Sequence, residues 1–353
     1  MPDDLLASQS AMNRSTRGQW QMYGAHRRQI ERLIVPTQPG GRACVLGAGN
    51  CNDLDLKWMT QVYREVHLVD LDSDALARGV QRQQCENSPR LQLHAPVDLT
   101  GVAEIVSQWK QSPPDGEQIN ECLRRMETPV NRRETVIDSR GQKANGGSSN
   151  PHLPTLLPPP VLRGRAGEGV RTTEHLEKSP TLTLPRNPGG GNKAAAPQGM
   201  PSAARANSDG FDVVLSPCVL SQLLIGIRDA IGSSHPRYPA LRSALRQRHI
   251  RTIVDLLTPG GTGVLVIDLA STEDFPGIAG VDDEDGASDL MRTLVEKGKC
   301  FAALAPAEIR RTMQPHLAAQ MITEPRFTRP WIWHLGLCKA FLVYAVLLNK
   351  SKG

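Results

Sequence analysis

An α/β fold on a doubly wound, mostly parallel sheet is predicted by three features of this chain. The stretch Arg42–Arg78 reads as strand, glycine turn, helix, second strand and acid. Short apolar runs then alternate with helical segments on both sides of a foreign central insertion, as parallel sheets covered on both faces require. Near the C-terminus, two extended segments flank a short turn, and the last, AFLVYAVLL, is apolar on both faces like a strand inside a sheet.

Ala43–Leu46 is short and apolar, and Gly47-Ala48-Gly49 follows as a turn whose missing Cβ atoms let backbone approach a ligand. Leu54–Val62 has helical apolar spacing, and Val66–Val69 is a second strand ending on Asp70. Nucleotide-binding βαβ halves are built this way, with an acid about 20 residues past the glycines placed for a ribose. Two details argue against a dinucleotide. Asn52 stands at the third glycine position of G-x-G-x-x-G, and the next helix opens with Asp53 and Asp55. Carboxylates there satisfy the helix dipole themselves and repel a pyrophosphate. A cofactor carrying a sulfonium and an ammonium, such as S-adenosylmethionine, meets no such conflict.

VLGAGNCNDLDL (45–56) and VHLVDLD (66–72) resemble the first two motifs of the class I S-adenosylmethionine-dependent methyltransferases. The chain departs from them at Val45, where an acid is often found, and at Cys51, which replaces the third glycine of G-x-G-x-G. The resemblance implies seven strands ending in an antiparallel hairpin, with the last strand inserted between its neighbours. The remaining segments suit that plan. Leu91–His94 is a third strand, followed by Val97–Thr100 and a helix through Trp109. Phe211–Leu215 is a fourth strand, Tyr238–Leu257 a helix stopped by Thr258-Pro259-Gly260-Gly261, and Val264–Asp268 a fifth strand. Arg326–Leu335 and Lys339–Asn349 form the hairpin. The expected organisation is an N-terminal helical cap (1–41), a first half-domain (42–111), an insertion (112–208) and a second half-domain (209–353).

The insertion holds 13 of 27 prolines and 11 glycines, and 139–208 shows no sustained apolar period. Such a segment cannot bury enough to offset chain entropy and is expected to be mostly disordered. A tolerated surface insertion is the plain expectation; a lid, or a partner-binding arm through Pro158–Pro160, is the functional one. Ile119–Met126 could add a helical turn or two.

The net charge of +5 gives no case for nucleic acid. Segment 112–208 carries 13 Lys+Arg against 9 Asp+Glu; the rest carries 28 against 27. Seven scattered cysteines without a C-x-x-C pair suit a reducing compartment, so a cytoplasmic location is expected, with no metal site. The N-terminus lacks an apolar signal-like run, and Trp331–Leu348 is interrupted by His334, Gly336 and Lys339, so neither export nor a membrane span is expected.

Ligands of open parallel sheets sit at the carboxyl ends of the strands. By resemblance, Gly47, Gly49 and Asn50 approach the methionine portion of the cofactor, and Asp70 with Leu71 takes the ribose. Asp98 and Leu99 meet the adenine, and Ser216 closes the site after strand four. Asp72 competes with Asp70, although it looks like a helix cap, as Asp98 also does. Leu215-Ser216-Pro217-Cys218 is not the Asn/Asp-Pro-Pro-aromatic motif of enzymes acting on DNA amines or glutamine amides. Cys218 reads as a small buried residue.

Catalytic candidates are Tyr23 and His26, on an N-terminal helix 18–35 with Trp20 and Arg27, and His334 between the C-terminal strands. The alternative for the N-terminal stripe is simple packing on the sheet. The acidic loop Glu273–Asp289 could favour a cationic acceptor or be merely solvated, and Arg242, Arg246 and Arg248 could be a phosphate patch or a solvated helix face. The function expected is methyl transfer to a small-molecule or side-chain acceptor. The alternatives are a nicotinamide-dependent oxidoreductase and a non-catalytic binding protein on the same fold.

Overall fold

The computed structural model describes residues 3–36, 40–110, 112–128, 210–336 and 338–352, with residues 3–8 as backbone only. Five parallel strands come first: β1 (Arg42–Leu46), β2 (Glu65–Val69), β3 (Leu91–His94), β4 (Phe211–Pro217) and β5 (Leu257–Ser271). Three antiparallel strands follow, β6 (Arg326–Phe327), β7 (Trp331–His334) and β8 (Ala340–Asn349). The order is β3-β2-β1-β4-β5-β8-β6, with β7 also on β8. β8 is therefore inserted between β5 and the two shorter strands.

The expected sixth strand, Arg326–Leu335, is split in two. Phe327 pairs with Val346 but Trp331 with Val343, a one-residue slip across 328–330. Pro330 has no N–H to offer the ladder, so the edge bends there and resumes at Trp331.

Alternation along the strands fills two cores. Cys44, Leu46, Val214, Leu265 and Tyr344 face one side, and Ala43, Val45, Val213, Val264 and Val343 the other. Helices α1 (Asp3–Thr16), α2 (Gly24–Leu33), α3 (Leu56–Val62), α4 (Ser73–Arg82) and α5 (Ala103–Trp109) belong to the N-terminal half. The first layer of helices does not start at residue 18 as expected. Residues 17–23 are a turn between α1 and α2, and the stripe begins on that turn.

Helix α6 (Gly116–Glu127) lies inside the segment assigned to the insertion. It opens with a capping box between Asp115 and Gln118 and buries Ile119, Cys122 and Met126 in the core. Core-forming chain therefore runs on to Glu127; residues 129–209, with Pro158–Pro160, lie outside the described residues.

The second half adds α7 (Val219–Ile231), α8 (Tyr238–Leu256), α9 (Glu284–Glu296) and α10 (Pro306–Ala318). The arginines of α8 are structural cement. Arg246, 5% exposed, donates to the Ala303 carbonyl (2.8 Å) and pairs with Glu308. Arg248 donates to the carbonyls of Arg125 (2.7 Å) and Thr128, and Arg251 to Glu127 (2.8 Å), which closes the C-terminal end of α6. The acidic loop runs through a single 3₁₀ turn (Pro276–Gly280) into the start of α9, which Asp283 caps; Asp285 pairs with Arg329 and Glu273 with Lys339, so part of its charge is met locally. Among the described residues no helix is long and apolar enough to cross a membrane, and no group of His, Cys, Asp and Glu could hold a metal ion.

Candidate cofactor and acceptor site

The loop after β1 has left-handed backbone at alternate positions: Gly47 (φ 76°), Gly49 (φ 48°) and Cys51 (φ 54°). Cys51 thus takes a left-handed conformation that favours glycine, at a cost of about 1 kcal/mol for a residue with a Cβ. A Cβ on Gly47 would stand 2.2 Å from Cγ2 of Val219 on α7, so this position admits hydrogen alone.

Three side chains fasten the rest of the loop. Arg82 donates to the carbonyls of Asn50 and Arg17, and Arg27 to that of Asn52 (2.8 Å). Gln83 donates to the carbonyls of Cys51 and Leu54 (3.1 Å each) and accepts from the Leu56 N–H (2.8 Å). Helix α4 comes this close because it carries Gly79, whose Cβ would lie 2.5 Å from the Asn50 carbonyl oxygen. Gly79→Ala is expected to destabilise the protein by about 2 kcal/mol although alanine is the better helix former. A lowered melting temperature checks this; an unchanged or raised one counts against the close packing.

Asp70 ends β2, 2% exposed. Its Oδ2 accepts from the Gly49 N–H (2.7 Å) and its Oδ1 from the Asp72 N–H (2.8 Å), so it holds the glycine loop and the next turn in register. Burial pushes its carboxyl upward, opposed by those two N–H groups. Each oxygen keeps a second lone pair for a hydroxyl donor. Asp72 is committed elsewhere, capping α4 at the Ala75 N–H (3.0 Å) and accepting from Asn13 (3.1 Å). Asp98 is committed as well, though not as the N-cap, which is Val102: it accepts from the Thr100 N–H (2.7 Å) and hydroxyl (2.6 Å) and from the Ala103 N–H (2.8 Å), which fixes the turn before α5.

A cleft runs along the carboxyl edge of the sheet, lined by Gly47, Asp70, Leu71, Asp98, Leu99 and Val219. Helix α1 roofs it through Gln9 and Met12; Gln9 donates to Gln222 of α7 (3.0 Å). Asn50 and Asn52 do not line it. Asn50 donates to the Asn13 carbonyl (2.6 Å) and Asn52 to that of Thr16 (3.0 Å), tying α1 down. Ser216 is turned away as well: fully buried, its hydroxyl shares a hydrogen bond with Nε2 of His249 on α8 (2.8 Å), leaving only its backbone for a ligand.

The catalytic candidates sit on the other side of the loop. His26 is wholly buried, stacked on Trp333 at 4.3 Å between ring centroids. The Trp331 indole N–H donates to its Nδ1 (3.1 Å), which puts the imidazole proton on Nε2, 3.4 Å from Oδ1 of Asp53. Neutral His26 has no free lone pair and cannot serve as a base. Tyr23 is buried against Trp333 (4.7 Å), its hydroxyl pushed above its ordinary pKa by burial and by Asp53. His334 is exposed at the end of β7.

Sequence reasoning passed over Asp268, at the carboxyl end of β5. Burial pushes its carboxyl up to about 7, Asp53 adds to the rise, and the Ser221 hydroxyl opposes it. Its Oδ1 is buried without a partner. Between Asp53 and Asp268 stands Cys218, left-handed (φ 52°), its thiol held well above its ordinary range by burial and both carboxylates. An inert buried thiol follows, as expected. The available signal was an acid set inside a run of otherwise apolar strand residues, Val264–Ala270.

Five parallel strands in the order 3-2-1-4-5, an antiparallel last strand inserted beside β5, and a ligand cleft over β1 to β3 make a specific combination. The fold is that of the class I S-adenosylmethionine-dependent methyltransferases. No family model and no curated protein matches the chain. Among solved structures, this methyltransferase fold is similar to the N-methyltransferase NodS of Bradyrhizobium japonicum in complex with S-adenosyl-L-homocysteine, at 9% identity over 93% of this chain and 87% of that one, TM-score 0.37. It is also similar to an O-methyltransferase family protein of Burkholderia thailandensis, at 10% identity over 98% and 60% of the two chains, TM-score 0.40. A third is the magnesium protoporphyrin IX methyltransferase ChlM of Synechocystis with S-adenosyl-L-homocysteine, at 9% identity over 95% and 84%, TM-score 0.36.

Proposed function

We propose that this protein is an S-adenosylmethionine-dependent methyltransferase acting on a small molecule or a side chain. The observation that carries this is the cleft, in which Gly47 of the left-handed loop faces a buried strand-end acid, whose Oδ2 holds the Gly49 N–H, and an apolar wall of Leu71, Leu99 and Val219. S-adenosylmethionine supplies a methyl group already activated on a sulfonium, so alignment and exclusion of water are the protein's main tasks. Asp70 takes the ribose hydroxyls, Leu71 and Leu99 sandwich the adenine, and the fastened glycine loop sets where the methionine half lies. Asp98, with its carboxylate engaged in the turn before α5, offers its remaining lone pairs to the adenine amino group.

The same geometry disfavours a nicotinamide cofactor. Asp55 already caps α3 through the Trp58 N–H (2.9 Å), the place a pyrophosphate would take. No nucleic-acid partner is proposed, since charge outside 112–208 nearly balances, and seven unpaired cysteines suit a cytoplasmic location. Calorimetry with S-adenosylhomocysteine and with NAD tests the reading: the first should bind in the micromolar range and the second should not. Tighter binding of NAD refutes it, and turnover on a metabolite panel separates an enzyme from a binding protein.

A further inference from the structure

We propose that helix α1 is a strap over the bound cofactor, hinged on the glycine loop, and that the Gln9–Gln222 hydrogen bond is its clasp, which parts to admit S-adenosylmethionine and to release S-adenosylhomocysteine. This rests on the methyltransferase reading and adds how the cofactor enters and is retained.

One end of the strap is fixed. The last carbonyls of a helix have no partner within it, and at the end of α1 the glycine loop and α4 supply the missing donors. Asn50 donates to the Asn13 carbonyl (2.6 Å), Asn52 to that of Thr16 (3.0 Å) and Arg82 to that of Arg17 (2.7 Å). The Asn13 side chain, 7% exposed, donates in turn to Asp72 (3.1 Å), the cap of α4. Asn50 and Asn52 are thus positioning residues. Neither lines the cleft, yet together they set where its roof begins.

The other end is held lightly. From that anchor α1 runs past α5, and among the described residues a single hydrogen bond joins it to α7, from the Gln9 amide to Gln222 (3.0 Å). Both side chains are partly exposed, so water can take over their donors and acceptors when the clasp parts. Met12, one turn along from Gln9, is 41% exposed although it stands over the cleft, an apolar side chain that a ligand beneath it would cover.

The strap is also the wall that can move. Asp70 lies deeply buried in the covered cleft, and Val102, Val106 and Ile227 of the opposite walls belong to the packed core. At its far end the cleft reaches the exposed Lys110 and Asp229. A ligand leaving there would draw its charged methionine half between Val102, Val106, Leu223 and Ile227, a costly desolvation. Lifting α1 away from α7 breaks one hydrogen bond and a few apolar contacts instead.

Rate constants decide the matter, because a clasp that closes equally over the empty and the filled cleft slows entry and exit alike. Surface plasmon resonance on the full chain, with S-adenosylhomocysteine as the analyte, supplies them. Gln9→Ala and Gln222→Ala should each raise both the association and the dissociation rate constant roughly 3- to 10-fold, the weight of one neutral hydrogen bond, with Kd held within about 2-fold. The double variant should be no faster than either single one, because both remove the same bond. Unchanged rates in both single variants overturn the strap. A rise in dissociation alone, with Kd weakened in proportion, also overturns it, since the amides would then be ligand contacts. So does a double variant in which the two effects multiply. Both positions are partly exposed on helices, where alanine is well accommodated, so the variants fold. Failure of S-adenosylhomocysteine to bind the wild type refutes the cofactor reading instead.

Discussion

Replacing Gly47 by valine is expected to abolish cofactor binding, a loss of at least about 100-fold, by combining a backbone penalty with a steric one. At φ 76° a β-branched residue is strained, and its first side-chain atom would overlap Cγ2 of Val219 by more than 1 Å of van der Waals distance, being 2.2 Å away. Relief requires either the loop or α7 to move, and both border the cleft. Calorimetry with S-adenosylhomocysteine reads the binding, and circular dichroism establishes that the variant is folded. A folded variant binding within threefold of the wild type would mean the turn never meets the ligand. If Gly47→Val does not fold, Gly49→Ala is the gentler probe: at φ 48° its Cβ would press on Oδ1 of Asn13 at 3.1 Å and reach Oδ2 of Asp70 at 4.0 Å.

Asp70→Ala should weaken S-adenosylmethionine binding by about 1–3 kcal/mol, roughly 5- to 150-fold. Two losses combine. The ribose hydroxyls lose a charged acceptor, and the N–H groups of Gly49 and Asp72 lose theirs, so the loop slackens where it was pinned. Asp70→Asn separates them, because an amide oxygen restores one of the backbone bonds without the charge. An unchanged affinity in a folded Asp70→Ala variant removes this residue from the site. Asp72 is the next residue to test, although its carboxylate is already divided between a helix cap and Asn13.

Several elements were legible from local pattern, while others were not: the helix expected from residue 18 begins at Gly24, and β5 starts at Leu257 through the expected turn at 258–261. β3 falls on Leu91–His94 as expected, β1 and β2 differ from expectation by one residue, and α8 ends one residue early. Alternating apolar strands and a turn rich in glycine carry that information in neighbouring residues. The glycine loop, the strand-end Asp70, the cap at Asp72 and the last strand beside β5 were legible for the same reason.

What only the tertiary structure decided depends on residues far apart in the chain. The sequence showed Cys51 as a departure from a motif, yet its φ of 54° lies in the left-handed region that favours glycine, a conformation held from outside by Arg82 and Gln83. Ser216 ends the right strand, but the side-chain alternation of a strand sends its hydroxyl to α8 rather than to the cleft. His26 looked like a base until Trp331, 305 residues away, occupied its free lone pair. Asp268 and Asp53 both raise the Cys218 thiol although they stand far apart in the chain, because β5 lies two strands from β1 in a sheet whose order the chain does not follow. Periodicity fixes which face a residue takes; which partner waits on that face is settled by packing, and the chemistry of the site rests on those partners.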